Sequence, residues 1–221
     1  MRLSDALIAE FIGTALLFLV GAGAHIAATR LAGGGFEVVL AESLAIGFGI
    51  TALVLSLNPV SGAYFNPLVS VLMCVQKELE WKHLAAYLAV QFGGALVGVL
   101  LTHSLFALPL LQLSANPQPG LGLAWSEWVA TLGLLLVIHR VGETRSQAVA
   151  YAVGAYLVAA TWFTPSHAVA NPALTVARMF TDTGAGIRPV DALGFLVAQS
   201  LALVALVLAI RLRKRFGALG D

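Results

Sequence analysis

Two asparagines, each followed by proline, are the residues of this sequence best suited to act on a solute. Asn66 and Asn171 lie in the stretches 61–71 and 166–176, in which Ser, Ala, Asn, Pro and Val occupy the same places. Asparagine before proline predicts a helix start, with Asn as the N-cap and Pro at the first helical position. Each side-chain amide offers N–H donors and has no titratable proton. The pattern therefore indicates hydrogen bonding to a neutral solute.

An apolar run of about 11 residues follows each asparagine, over 66–76 and 171–181. Such a helix is ~16 Å long, about half of a ~30 Å hydrocarbon core. We therefore expect two half-length helices that enter the membrane and stop at its middle. Their amino termini leave N–H groups free and carry roughly half a positive charge each. Two such ends that face each other would repel cations and would suit a pore for water or small uncharged molecules.

Two carboxylates, Glu10 and Glu127, lie inside apolar runs. A charged side chain there costs ~2.5–3.5 kcal/mol or more, so each carboxylate needs a functional or structural role that offsets this cost. One interpretation is a proton or ion pathway; the other is that each accepts hydrogen bonds from the re-entrant loop of its own half of the chain. Each Glu is followed by an aromatic residue and, four positions on, by threonine. This symmetry favours loop anchoring.

The composition indicates a multi-span helical membrane protein, because the 221 residues are 59% hydrophobic and only 10% charged. The net charge is +1 and there is no basic patch suited to nucleic acid. Cys74 is the single cysteine, which excludes an internal disulfide and a thiolate metal cluster. No metal site or cofactor is expected. The amino-terminal apolar run lacks a cleavage site and predicts a retained first span.

The expected fold is all-α, with six transmembrane helices and two half-helices in two inverted repeats. Residues 1–106 form the first repeat, 107–123 a linker rich in proline and glycine, and 124–221 the second. The full spans are predicted at about 5–28, 36–57, 83–106, 125–138, 146–163 and 190–211. Asn58-Pro59 is expected to end the second of them. Three full spans per repeat is an odd number, so the second repeat must lie upside down relative to the first.

The placement of Lys and Arg agrees with this topology when both termini are cytoplasmic. Nine basic residues then lie inside: Arg2, Lys77, Lys82, Arg140, Arg145, Arg211, Arg213, Lys214 and Arg215. Three lie outside: Arg30, Arg178 and Arg188. Nine against three satisfies the positive-inside rule.

Nearly the whole chain resembles the major intrinsic protein family, the aquaporins and aquaglyceroporins. The matching pieces are 9–14, 61–67, 91–95, 126–131 and 171–173. The resemblance implies one pore per subunit, a homotetramer among membrane lipids and, for this type of sequence, the bacterial inner membrane. It implies that the centre of the pore is formed by Asn66, Pro67, Leu68, Asn171, Pro172 and Ala173. Leu68 departs from the usual Ala, and Tyr64 stands where His is common.

The largest departure from the family pattern is Leu174, where the family usually places an arginine that narrows the pore. Aligned on the family, the other filter positions are Ile46, Ala168 and, on the fifth span, Thr161 or Ala159, depending on the position of a gap. Such a filter is wide and mostly apolar. It resembles bacterial members associated with glycerol-like solutes and undissociated metalloid acids such as arsenous acid.

Three polar residues near this filter have two interpretations each. Glu42 lies one turn from Ile46 on the same helix face, and is either a vestibule carboxylate or a helix-start residue that faces headgroups or a neighbouring helix. His167 either gates by pH or is a loop residue whose backbone, not its ring, lines the pore. Arg178 lies ~6 Å beyond Leu174, and we expect it to pair with Asp182 or to cap the half-helix end.

Three functions compete on these observations. The first is a passive channel for neutral solutes. The second is a secondary transporter, because inverted repeats and broken helices also build those. The asparagines at the predicted midplane do not titrate, which disfavours a coupled carrier. The third is an intramembrane enzyme, which is disfavoured because no Ser/Lys, Ser/His or paired Asp arrangement is found on facing spans.

Overall fold

The computed structural model describes residues 2–217, and in that range the regular structure is helical. Eight α-helices follow one another: α1 (Leu3–Ala32), α2 (Phe36–Ser61), α3 (Pro67–Gln76), α4 (Trp81–Leu105), α5 (Leu121–Thr144), α6 (Val149–Phe163), α7 (Pro172–Arg178) and α8 (Pro189–Gly217). A short 3₁₀ turn at Ser146–Ala148 precedes α6. The order of long and short helices is the one that the sequence predicts.

Of the eight helices in the described range, five are long and apolar enough to cross a membrane: α1, α2, α4, α5 and α8. The fifth predicted span corresponds to α6, which has 15 residues. Its length is therefore ~22 Å at 1.5 Å per residue. The 3₁₀ turn that precedes it lengthens this helical segment by three residues. Large apolar side chains on the outer surfaces of the long helices are exposed, among them Ile8, Phe48, Leu105, Leu193 and Val204. These surfaces match the hydrocarbon of a bilayer.

The helices contact one another in a pattern with two-fold symmetry. The contacts of α1 with α2 and α4 correspond to those of α5 with α6 and α8. The contacts of α3 with α4 and α8 correspond to those of α7 with α8 and α4, while the pairs α2–α6 and α3–α7 lie on the symmetry axis. Each helix of the first half therefore has its counterpart four helices later, as expected for an inverted repeat.

Two helix ends differ from the sequence prediction. Asn58-Pro59 does not end α2, which continues to Ser61 and closes where the Gly62 N–H donates to the Asn58 carbonyl over 3.0 Å. Proline costs the helix one hydrogen bond here, and the left-handed Gly62, with φ 90°, supplies the termination instead. The second half-helix is shorter than 171–181, because α7 ends at Arg178.

The linker explains the early end of α7. The N–H groups of Ser114 and Gln112 donate to the carbonyls of Met179 and Phe180 over 2.9 and 3.4 Å. Residues 109–118 therefore fold over the segment that follows α7, and the two segments satisfy each other's backbone groups. The linker is shorter than predicted at its end, since α5 begins at Leu121.

Candidate functional site

Asn66 and Asn171 start the two half-helices as N-caps. The Asn66 Oδ1 accepts from the Leu68 N–H over 2.9 Å, and the Asn171 Oδ1 accepts from the Ala173 N–H over 3.0 Å. Proline occupies the first turn of both helices. The local sequence thus folds as capping rules predict, and the amino termini of α3 and α7 are brought into contact.

Each asparagine also joins the two re-entrant loops to each other. The Asn66 Nδ2 donates to the Ala170 carbonyl over 2.8 Å, and the Asn171 Nδ2 donates to the Phe65 carbonyl over the same distance. A side-chain amide has two N–H groups, so one N–H of each asparagine is left after these bonds. Both side chains line the central cavity described below.

Glu10 is fully buried and joins the first loop to the end of α2 and to α4 through four hydrogen bonds. Its Oε1 accepts from the Ser61 hydroxyl and the Tyr64 N–H over 2.7 and 2.9 Å. Its Oε2 accepts from the Phe65 N–H and the Gln91 amide over 2.7 and 2.8 Å. Charge-assisted bonds from this many donors offset the cost of burying a carboxylate.

Glu127 has the same place in the second loop. Its two oxygens accept from the N–H groups of Val169 and Ala170 over 2.8 and 2.9 Å. The Gln199 amide donates to the same carboxylate over 2.6 Å. Both carboxylates accept from backbone donors of the loop of their own half, which is the geometry of the loop-anchoring interpretation.

The loops need this support because several of their residues are left-handed without being glycine. Ala63 and Phe65 have φ of 51°, and Ala168 and Ala170 at the matching places have 53° and 46°. Such a conformation costs roughly 1–2 kcal/mol per residue. The two residues that follow the first left-handed alanine in each loop are the ones that donate to the buried Glu.

Gly13 makes room for the first loop. A Cβ atom at this position of α1 would overlap the ring of Phe65, which is fully buried. The ring of Phe65 thus packs directly on the α1 backbone, one turn away from Glu10, and locks the loop from a second side.

A central cavity of about 110 Å³ runs past both asparagines. Its wall is mostly apolar and takes residues from α1, α2, α3, α5, α6, α7 and both loops. One end is lined by Ile138 and Val149, and the other by His167 and Arg178. We call the second end the Arg178 mouth. Between the two ends, the polar side chains of the wall are Asn66, Asn171, Tyr64 and Asn58.

The predicted filter residues fall into two groups. Ile46, Ala168 and Leu174 line the cavity, whereas Thr161 and Ala159 do not. Thr161 is buried and its hydroxyl donates to the Leu157 carbonyl over 2.9 Å. From α6 the wall takes Val149, Val153 and Leu157.

The predicted central residues also divide. Asn66 and Asn171 reach the wall, while Pro67, Leu68, Pro172 and Ala173 form buried first helical turns behind it. Val69, one residue after Leu68, lines the cavity instead.

The expected pairing of Arg178 with Asp182 is wrong. Arg178 Nη2 lies 3.4 Å from the Glu42 Oε1, and Asp182 accepts from the Ala115 N–H instead. The reason is that the linker already donates a hydrogen bond to the Asp182 carboxylate. The buried carboxylate of Glu42 lies across the end of the cavity and contacts Arg178 instead. The other Glu42 oxygen lies 3.0 Å from the His25 Nδ1. Glu42 therefore faces neighbouring elements and the mouth, not the headgroups.

Two residues at the Arg178 mouth could not be assigned their contacts from the Asn-Pro motifs alone. His25 has no sequence signal, since it meets Glu42 only because α1 and α2 pack together. Arg178 has a signal in retrospect: it lies four residues after Leu174 and hence on the same helix face. Within residues 2–217, no three His, Cys, Asp or Glu side chains are grouped so as to hold a metal ion.

Comparison with known proteins agrees with this geometry and identifies the family of the chain. Residues 1–147 match the profile of the family described as "Major intrinsic protein". The aquaglyceroporin AqpS of Rhizobium meliloti is 40% identical over 197 residues, which are 89% of this chain and 84% of the relative. Human aquaporin-9 is 26% identical over 164 residues, covering 65% of this chain and 55% of the relative.

A solved structure has the same fold. The X-ray structure of the aquaglyceroporin from Plasmodium falciparum aligns with a TM-score of 0.73 at 23% sequence identity, covering 96% of both chains.

Proposed function

The chain belongs to the major intrinsic protein family, and we propose that it conducts water and glycerol-sized neutral solutes passively through the central cavity. The observation that carries the proposal is the pair of asparagine amides at the cavity wall, each held by a bond to the opposite loop. A neutral solute can accept from them without any change of protonation. Such hydrogen bonding needs no energy source, so the solute moves down its concentration gradient.

We propose that cations are excluded at the same point. The free N–H groups at the starts of α3 and α7 meet there, and the amides add donors of the same polarity. A cation would lose its hydration shell against donors only, whereas a hydroxyl oxygen finds partners. Glu10 and Glu127 serve as loop anchors in this proposal and take no part in conduction.

We further propose that the pore admits solutes larger than water, including undissociated metalloid acids such as arsenous acid. Support comes from Ile46, Ala168 and Leu174, which form an apolar wall. The family usually has larger side chains here, among them a positively charged arginine at the position of Leu174. The word aquaglyceroporin in the name of the Rhizobium relative points the same way. We assign Glu42, which contacts Arg178, to the vestibule at the same end of the cavity.

Assembly and orientation are also proposals. The family resemblance supports a homotetramer with one pore per subunit, and the charge distribution supports cytoplasmic termini in the bacterial inner membrane. Cross-linking of the purified protein tests the tetramer, and protease protection of tagged termini in membrane vesicles tests the orientation. Dimers only, or an external terminus, would contradict the respective proposal.

The central experiment is solute-driven swelling of proteoliposomes with water, glycerol, urea and arsenous acid in turn. A channel accelerates flux downhill, with weak temperature dependence and no effect of proton or sodium gradients. Flux that responds to an ion gradient would instead favour the secondary transporter. Liposomes that carry the Asn66→Asp variant serve as the matched control for protein incorporation.

A further inference from the structure

The Arg178 mouth contains a charged cluster that conduction past the asparagines does not use. Glu42 lies at its centre, with a side chain only 3% exposed, between His25 of α1 and Arg178 of α7. The two contacts are 3.0 Å to the His25 Nδ1 and 3.4 Å to the Arg178 Nη2. Since Glu42 sits on α2, the cluster joins three helices around one end of the cavity.

The Arg178 side chain keeps most of its hydrogen-bonding capacity. A guanidinium has five N–H donors, and among the described residues the bond of 3.4 Å to Glu42 is its one hydrogen bond. The backbone of Arg178 is fixed, because its carbonyl accepts from the Ile187 N–H over 3.0 Å. Donors that remain unsatisfied on an anchored, largely buried side chain are available to a solute.

His167 supplies a second, independent indication of a ligand. Its Nδ1 is buried and has no hydrogen-bond partner among the described residues. The residue lines the central cavity together with Arg178. Both also line a smaller cavity of about 60 Å³ behind the mouth, along with His25, Glu42 and Gln118. A buried ring nitrogen without a partner, next to a guanidinium with unused donors, is a polar site that lacks its ligand.

We propose that Arg178 determines solute specificity: with His167 it binds, at the Arg178 mouth, a neutral solute that carries at least two hydroxyl groups. Glu42, itself held by His25, is a positioning residue that aims the guanidinium. The inference rests on the proposed function and names its substrate class.

The chemistry of the mouth selects this class of solute. The planar fork of a guanidinium matches two neighbouring oxygens, and the imidazole can donate or accept. An anion would meet the Glu42 carboxylate, and a cation would meet Arg178. Leu174, one turn further toward the asparagines, and Ile46 offer apolar contact to the carbon skeleton. A polyol presents both kinds of surface, while urea presents one acceptor oxygen and no hydroxyl.

The test compares glycerol, urea and water flux in proteoliposomes for the wild type, Arg178→Met, Arg178→Lys and Glu42→Gln. Met has similar length without donors, and Lys keeps the charge without the fork. The matched control is Arg188→Met, because Arg188 is paired with Asp191 and lines neither cavity.

We expect Arg178→Met to lower the glycerol-to-urea flux ratio at least about fivefold, since a site built to bind hydroxyls loses its donors. Water flux should not fall. Arg178→Lys should give an intermediate ratio, Glu42→Gln a smaller decrease in the same direction, and Arg188→Met no change. Glycerol flux of the wild type should saturate with concentration, and that of Arg178→Met should not.

Two results would overturn the proposal in different ways. If the wild type conducts glycerol and Arg178→Met lowers all three fluxes by one factor, or none, Arg178 is a structural brace and the inference fails alone. If the wild type conducts no neutral solute, the proposed function fails and this inference fails with it.

Discussion

The side chain of Asn66 donates to the backbone carbonyl of Ala170, which belongs to the opposite re-entrant loop, over 2.8 Å. The same side chain caps its own half-helix through its Oδ1. Asn171 repeats both contacts from the other side. One amide therefore starts a helix, ties the loops together and presents a remaining donor to the cavity, which no other side chain of similar size can do.

The first prediction concerns these amides. Asn66→Asp and Asn171→Asp should each reduce glycerol and water flux, because a carboxylate cannot donate to the opposite carbonyl and offsets the positive helix ends. Cation leak should rise for the same reason. The measurement is stopped-flow swelling together with a membrane-potential assay of the same proteoliposomes.

The control for this prediction is Asn116→Asp in the linker, where the amide donates to the carbonyls of Gly184 and Gly186 and does not line the central cavity. It should leave cation leak unchanged. Unaltered flux and leak in both pore variants would show that the amides are not the central donors.

The second prediction concerns the buried carboxylates. Glu10→Gln and Glu127→Gln should lower stability by on the order of 1.5–3 kcal/mol for each charge-assisted bond that is lost. Transport per folded molecule should persist. Thermal unfolding in detergent and purification yield measure the effect, with Glu37→Gln in the exposed first turn of α2 as the control. A fully stable variant that loses a pH-dependent flux would instead favour the proton-pathway interpretation.

The sequence predicted the elements well because the features that define them are local. Asparagine–proline marks a helix start, and apolar runs mark spans, so α3 was placed to within a residue at both ends. Glu10 and Glu127 could be matched because the repeat itself provides the comparison. Symmetry thus replaced an alignment of relatives.

What the sequence could not predict depends on packing between distant segments. The end of α7 is set by the linker, whose backbone takes up the carbonyls of Met179 and Phe180. The partner of Arg178 was mispredicted because Asp182 is close in sequence, while Glu42 is 136 residues away and close only in space. The residue that α6 contributes to the wall depends on the rotation of that helix, which the sequence leaves open.

The third prediction tests the packing of the first loop. Gly13→Ala should destabilise the protein by about 1–3 kcal/mol, because overpacking a close contact forces backbone or side chains to shift. Here the displaced group is the buried ring of Phe65, so the glycerol flux of the surviving fraction should fall as well. Thermal unfolding and swelling are measured on the same preparation.

Gly122→Ala is the matched control for this substitution, because a Cβ at that helical glycine meets open space. The two variants add the same atom to an α-helix and differ in what the atom meets. Equal stability of both would mean that Phe65 does not pack on Gly13 as described.

The last prediction is that Leu174 sets the upper size of the solutes. Together with Ile46 and Ala168 it forms the apolar wall next to the Arg178 mouth. Leu174→Arg should place a second guanidinium one helical turn from Arg178, within the same section of the cavity. Glu42, the buried carboxylate that contacts Arg178, would also hold the new side chain across the pore. This section of the pore becomes narrower and gains a fixed charge, so the glycerol-to-water and arsenous acid-to-water flux ratios should fall at least about tenfold.

The control is Leu174→Met, which keeps the volume and polarity of the side chain and should preserve both ratios. Ratios that do not fall in Leu174→Arg would mean that the constriction lies elsewhere and that the alignment of the second half-helix on the family is wrong.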